Sequence, residues 1–250
     1  MMSKRWDIAQ KYEKGYWQQI ADTIAADAGN QLSWYNWKAL DFEKKLSNVP
    51  CRFERKDCRI LEVGSGPIGI VSQLRWGERY AIDPLQDFYK ENPLLVTLRD
   101  RNVNYITGKG EEIPFPDGHF SIVIIDNVLD HVSAPGAVLR EIHRVLAGNG
   151  VLYIDLNIHT FWGYILHSLL ARLNIDKGHP YSFTSNKIRD FLEDHQFDIQ
   201  WESVNDYHEA RKADRESSSL KAKMKAFSGL SEFIYSAVSS KTLLAGPDSD

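Results

Sequence analysis

From Arg59 onward, short apolar runs alternate with segments whose apolar positions recur every three or four residues. That pattern belongs to buried parallel strands wrapped by helices. It predicts strands near 59–63, 78–82, 103–106, 120–125 and 150–156, another over 197–204, and a last one over Lys241–Ala245. The sharpest helix precedes the fifth strand: Ser133 is placed to cap it, Pro135 fits its first turn, Val138, Ile142, Val145 and Leu146 share a face, and Gly148-Asn149-Gly150 is expected to end it. Phe161–Leu173 reads as a nearly uncharged helix followed by a loop through Gly178-His179-Pro180-Tyr181. A further helix from Thr184 or Ser185 should bury Ile188, Phe191, Leu192 and His195, and 220–237 reads as an amphipathic helix after an exposed stretch over 208–219. The expected fold is therefore α/β: a doubly wound, mainly parallel seven-stranded sheet with helices on both faces.

Residues 1–48 differ. Trp6, Tyr12, Tyr16, Trp17, Trp34, Tyr35, Trp37 and Phe42 recur at roughly helical intervals in a charged background, without strand alternation. Two or three helices are expected there, packed as a cap on one edge of a main domain over 49–250, which carries helical additions at about 158–180 and 208–238.

Composition narrows the function classes. A chain of 250 residues, 43% hydrophobic and 26% charged, can bury a full core. Its net charge of −4 gives no basic footprint for nucleic acid. Two cysteines, Cys51 and Cys58, form neither a disulfide framework nor a zinc site, so no metal is expected. No stretch reaches membrane-spanning length and no apolar leader opens the chain, so the cytoplasm is the simplest address.

The candidate chemistry lies in Leu61-Glu62-Val63-Gly64-Ser65-Gly66-Pro67-Ile68-Gly69. A strand ending at Val63, three glycines and a helix beginning near Pro67 or Ile68 make a nucleotide-binding turn, in which glycine admits close ligand approach and the helix start offers free amides. Asp83, ending the next strand, is placed to accept hydrogen bonds from ribose hydroxyls. Both features also suit a nicotinamide dinucleotide. Glu62 favours a ligand with an ammonium group over a pyrophosphate, and Pro67 removes one amide that a phosphate would use.

Glu62-x-Gly64-x-Gly66 followed by Ile82-Asp83 resembles the first two motifs of the class I, Rossmann-fold S-adenosylmethionine-dependent methyltransferases of small-molecule type. The segment Gly108–Phe120, the run Ser121–Asp126, Asn127–Val132 and Leu139–Leu146 are similar to the later segments of that family. The resemblance implies a site in which Glu62, Gly64, Ser65 and Gly66 line the methionine end of S-adenosyl-L-methionine. Asp83 would hold the ribose, Pro84 or Leu85 the adenine face, Gly110 and Glu111 the adenine edge, and Asp126 and Asn127 the reacting methyl. Lys109 stands where the family often has an acid, and Gln196-Phe197 where it often has Gly-Phe.

Methyl transfer from a sulfonium needs alignment and, for some acceptors, removal of a proton. His131 is the first candidate base, ahead of His159 and His179, with Asp126 as a second catalytic candidate. Asp126 and Asn127 equally suit a capping role. The apolar run from Phe161 to Leu170 lies where this fold carries an acceptor cover, which would suit an aromatic or lipid-like small molecule, although helical packing into the core or against the N-terminal helices is the reading such a run favours. Two rival functions remain: a nicotinamide-dependent oxidoreductase, and a non-catalytic adenosylmethionine-binding module.

Overall fold

A computed structural model describes residues 11, 14–18, 28–50, 54–172 and 180–242. Trp6, Tyr12, Cys51, His179 and positions 243–245 lie outside them. Seven strands, β1 (Arg59–Val63), β2 (Glu78–Asp83), β3 (Val103–Thr107), β4 (Phe120–Asp126), β5 (Leu146–Ile158), β6 (Phe197–Val204) and β7 (Phe233–Lys241), form one sheet in the order β3-β2-β1-β4-β5-β7-β6. The ladders joining β3, β2, β1, β4 and β5 are parallel, and β7 runs antiparallel to both its neighbours.

Alternate residues of each strand feed two cores, as a period of two requires. Leu61, Val63, Val123, Ile125, Leu152 and Ile154 point to one face. There they meet Val138, Leu139, Ile142 and Val145 of α4 (Pro135–Val145) and Ile188 and Leu192 of α6 (Ser185–Asp194). Ile60, Ala81, Ile122, Ile124 and Tyr153 point to the other face. That face is covered by Ala39, Phe42 and Leu46 of α1 (Ala28–Leu46). The N-terminal helix therefore lies on a sheet face rather than on an edge.

Three further expectations change. First, α4 ends at Val145. Leu146 takes extended backbone and pairs with Phe120, and the Gly148-Asn149-Gly150 segment forms a bulge before Val151 pairs with Ile122. Burying Leu146 completely in the ladder outweighs another helical turn through two glycines.

Second, Ser133 does not cap α4. The cap residue is Ala134, and the Glu111 carboxylate Oε1 accepts from the Ser133 amide (2.9 Å), the Ser133 hydroxyl (2.7 Å) and the Ala134 amide (3.2 Å). A carboxylate reaching across from another segment thus holds the two residues that lead into the helix, a negative charge at its N-terminal end.

Third, the stretch 220–237 divides into α8 (Leu220–Ser228) and the start of β7. Gly229, at φ +79, ends the helix in a left-handed cap. The last strand is thus 233–241, inserted between β5 and β6. The remaining helices are α2 (Gln86–Lys90), α3 (Pro93–Thr97), α5 (Phe161–Arg172) and α7 (Tyr207–Glu216). Ile188 and Leu192 of α6 are fully buried, whereas Phe191 and His195 are half-buried.

Candidate functional site

The site is built at the carboxyl ends of β1, β2 and β4, where ligands bind in open sheets of this type. Gly64, Gly66 and Gly69 all have positive φ (+70, +60 and +83). The amides of Gly64 and Ser65 donate to the Ile82 carbonyl at 2.8 and 3.3 Å, tying the turn to β2. A Cβ on Gly64 would fall 2.4 Å from Val128 Cγ2, so the loop after β4 presses directly on the turn.

The helix expected from Pro67 or Ile68 does not form. A 3-10 turn over Ile70–Ser72 stands in its place, because Gly69 at φ 83, ψ 150 breaks the backbone and Ile70 and Val71 are weak helix formers. The amide of Val71, which a helix start would present to a ligand, donates instead to Glu62 Oε2 at 2.9 Å. Phe42 and Leu46 of α1 pack with Ile70, Val71 and Leu74 on the face that such a helix would cover. Burial pushes the Glu62 carboxyl up to about 8, against the Val71 and Ile70 amides and with help from Asp126 and Asp83.

Asp83 is buried and holds the turn from beneath: Oδ2 accepts from the Gly66 amide at 2.9 Å and Oδ1 from the Leu85 amide at 2.8 Å. Three residues with no motif of their own complete the frame. Gln86 Nε2 donates to Ser65 Oγ and the Gly66 carbonyl at 3.0 Å, Arg99 Nε to the Pro67 carbonyl at 2.6 Å, and the Tyr105 hydroxyl to the Ile68 carbonyl at 2.7 Å. Trp17 and Tyr35 approach the turn from the N-terminal segment, with Trp17 Cζ2 3.4 Å and the Tyr35 hydroxyl 3.9 Å from where a Gly66 Cβ would be.

A cleft opens beside this turn. Of the expected site residues, Gly64, Asp83, Pro84, Gly110, Glu111, Asn127 and His131 line it. Val63, Val128 and Val132 supply an apolar wall. Asn127 sits at φ +54, its amide donating to the Asp155 carbonyl at 2.7 Å and its Oδ1 accepting from the Asn157 amide at 3.4 Å. His131 Nε2 lies 3.7 Å from Asp130 Oδ2.

Glu62, Ser65, Gly66, Leu85 and Asp126 are not among the residues lining this cleft. Leu85 packs with Trp17, Tyr89 and Leu95. Asp126 turns to the α1 face, where Lys38 Nζ donates to its Oδ1 at 3.0 Å and to Asp155 Oδ2 at 3.2 Å. Lys45 Nζ donates to Ser236 Oγ at 2.8 Å, and Ser236 Oγ donates to Asp155 Oδ1 at 2.8 Å. Burial pushes Asp126 up to about 6; Lys38 opposes that shift and Asp155 adds to it. Burial pulls the Lys38 ammonium down, but Asp126 and Asp155 outweigh it and leave its pKa raised. Apart from Asp126, no member of this polar cluster belongs to a sequence motif.

Residues 61–154 match the family model described as a methyltransferase domain. The match covers less than half of the chain, and over it the chain is similar to methyltransferase domains. The ubiquinone/menaquinone biosynthesis C-methyltransferase of Pasteurella multocida is 28% identical over 122 residues, covering 43% of this chain and 46% of that protein. The chain thus spans less than half the length of such curated relatives. Among solved structures, the geranyl diphosphate C-methyltransferase of Streptomyces coelicolor A3(2) superposes with a TM-score of 0.60 at 13% identity, over 82% of this chain and 79% of that one. A putative methyltransferase from Bacillus halodurans matches at a TM-score of 0.55 and 16% identity, over 86% of this chain and 100% of its own. At these identities the two structures establish the shared Rossmann-like fold of the domain.

Proposed function

We propose that this protein binds S-adenosyl-L-methionine in the cleft of its methyltransferase domain and transfers the methyl group to a small-molecule acceptor. The observation that carries this reading is Asp83, a buried carboxylate aimed by two backbone amides and lining the cleft beside the glycine turn. Asp83 would accept from the ribose hydroxyls, Pro84 and the valine wall would sandwich the adenine, and the Gly110 amide with Glu111 would border its edge. Gly64, Ser65 and Gly66 would carry the methionine end, with Glu62 acting through the turn it anchors. When bound, the cofactor supplies an activated methyl group.

The protein's own part is alignment and exclusion of water. Lys38 holds Asp126 away from the cleft, so we assign Asp126 a positioning role at the end of β4, where it fixes the strand that leads into Asn127. His131, lining the cleft with Asp130 behind it, is our candidate to take a proton from the acceptor. An aromatic or lipid-like acceptor fits the activities by which the relatives are named, in ubiquinone and menaquinone biosynthesis or on geranyl diphosphate. The nicotinamide reading is disfavoured by the turn: a pyrophosphate needs a helix start, and here the chain makes a 3-10 turn whose Val71 amide is given to Glu62.

Calorimetry should show adenosylmethionine and its demethylated product binding and NAD not. Asp83→Ala should weaken adenosylmethionine binding by about tenfold or more, the scale of a lost hydrogen bond to a charged group. Unchanged affinity, or binding of NAD alone, would remove the assignment. Methyl transfer to a quinol or isoprenoid acceptor should fall in His131→Ala at unchanged cofactor affinity, and full turnover in that variant would exclude His131 as the base.

A further inference from the structure

Outside the cleft lining, α5 and α8 leave large apolar side chains in water. On α5, Phe161 (73% exposed), Trp162, Ile165 and Leu169 share one face, while Gly163, His167 and Ala171 are buried on the other. On α8, Leu220, Met224 and Phe227 share a face, Phe227 at 91% exposure, with Ala226 buried behind them. The two faces adjoin: Trp162 Nε1 donates to the Ser228 carbonyl at 3.3 Å, and Gly229 lies against the Trp162 ring. None of these side chains lines the cleft.

Charge is distributed to match. The chain carries a net charge of −4, yet α5 and α8 contain Arg172, Lys221, Lys223 and Lys225 and no acidic residue. Lys225 pairs with Glu232 at 2.8 Å, whereas Lys221 and Lys223 are exposed. At 100° per residue, Lys223 and Lys221 fall on either side of the Leu220-Met224-Phe227 stripe. An apolar stripe of Leu, Met and Phe bordered by lysines, next to exposed Trp and Phe, is the arrangement of helices that lie in a bilayer interface. Their apolar side chains enter the acyl boundary while the ammonium groups reach anionic headgroups. The acidic residues of the neighbouring α7, including Glu209, Asp214 and Glu216, are not on this stripe.

We propose that the joined faces of α5 and α8 form a docking surface for an anionic lipid bilayer, which the protein meets peripherally. No helix among the described residues is long and apolar enough to cross a membrane. This inference does not depend on the methyl-transfer reading, since it concerns a different surface.

The test is co-sedimentation of the full chain with vesicles of phosphatidylcholine alone and of phosphatidylcholine containing phosphatidylglycerol. Binding is expected to the anionic vesicles and to weaken with added salt. Lys221→Glu with Lys223→Glu should lower it by at least about tenfold. Met224→Ser with Phe227→Ser should lower it similarly with little change in melting temperature, because both side chains are exposed. Absence of binding to either vesicle, or equal binding to both, would overturn the proposal. So would a concentration-dependent dimer in sedimentation velocity that the Met224→Ser, Phe227→Ser variant abolishes, since a second copy would then be the occupant.

Discussion

Lys38→Met is expected to destabilise the protein by about 3–5 kcal/mol at pH 8, the cost of leaving the buried Asp126 carboxylate without the cation that pairs with it. The reason lies in the register of the sheet. Glu62, Asp83, Asp126 and Asp155 end or nearly end their strands at positions that alternate toward the α1 face, so the fold gathers four carboxyl groups under one helix. Lys38 is itself almost buried and meets two of them, Asp126 and Asp155, at 3.0 and 3.2 Å. Methionine fills much of the same volume but supplies no charge. The loss should depend on pH, and its sign comes from the direction of the shift. A carboxyl whose folded pKa is raised is best tolerated when protonated, so its cost is absent below the unfolded value near 3.8 and grows as pH rises through the folded one, about 6 for Asp126 with Lys38 present. Without Lys38 the folded value moves higher still, so Lys38→Met should be much closer to wild type at pH 5 than at pH 8. Adding Asp126→Asn to the variant should recover a substantial part of the loss at pH 8. Urea unfolding at the two pH values measures both effects. A Lys38→Met protein within about 0.5 kcal/mol of wild type at pH 8 would show that the carboxylates are not held as described.

Legibility along the chain divides by sequence distance. The first five strands and α4 are legible because each is announced by its own periodicity; Val138, Ile142 and Val145 are fully buried as their spacing requires. The glycine turn and Asp83 are legible because local backbone conformation and strand order place them. The cluster at Lys38 is not, since its partners are 88 and 117 residues away and no local pattern specifies a cross-chain ion pair. The role of Glu111 is hidden for the same reason: it lies 22 residues before Ser133, whose amide and hydroxyl it holds, while Ser133 has the look of the local cap.

The two largest departures concern competition between elements. The βα turn lacks its helix because α1 occupies that face and Glu62 takes an amide the helix would have left free. The segment Phe233–Lys241 escapes a strand reading because burial on both sides of an inner strand erases alternation: Tyr235 and Ala237 face one core and Val238 the other. Gly229 and the β-favouring run Phe233-Ile234-Tyr235 are the available signals.

Gly64→Ala tests the turn itself, and two separable effects should each appear. Alanine at φ +70 carries the left-handed backbone penalty of about 1–2 kcal/mol. Its methyl would also lie 2.4 and 2.7 Å from the two methyls of Val128, an overlap that requires the β4 loop to shift and adds about 1–3 kcal/mol. A total loss of about 2–5 kcal/mol is expected in chemical denaturation. Val128→Ala in the same chain removes the second contribution and leaves the first, so the double variant should regain stability relative to Gly64→Ala while remaining below Val128→Ala alone. A Gly64→Ala protein as stable as wild type would mean that the turn and the β4 loop are not in contact. Function should respond more than stability does. Gly64 and Val128 face each other across the cleft wall, and displacing that loop also moves Asn127 and His131, which lie on either side of Val128 in the cleft lining. Adenosylmethionine affinity in Gly64→Ala is therefore expected to fall further than in Asp83→Ala, because the substitution disturbs a wall of the site as well as a single hydrogen-bonding group. Partial recovery of that affinity in the double variant would locate the loss in the overlap with Val128; no recovery would locate it in the backbone of the turn.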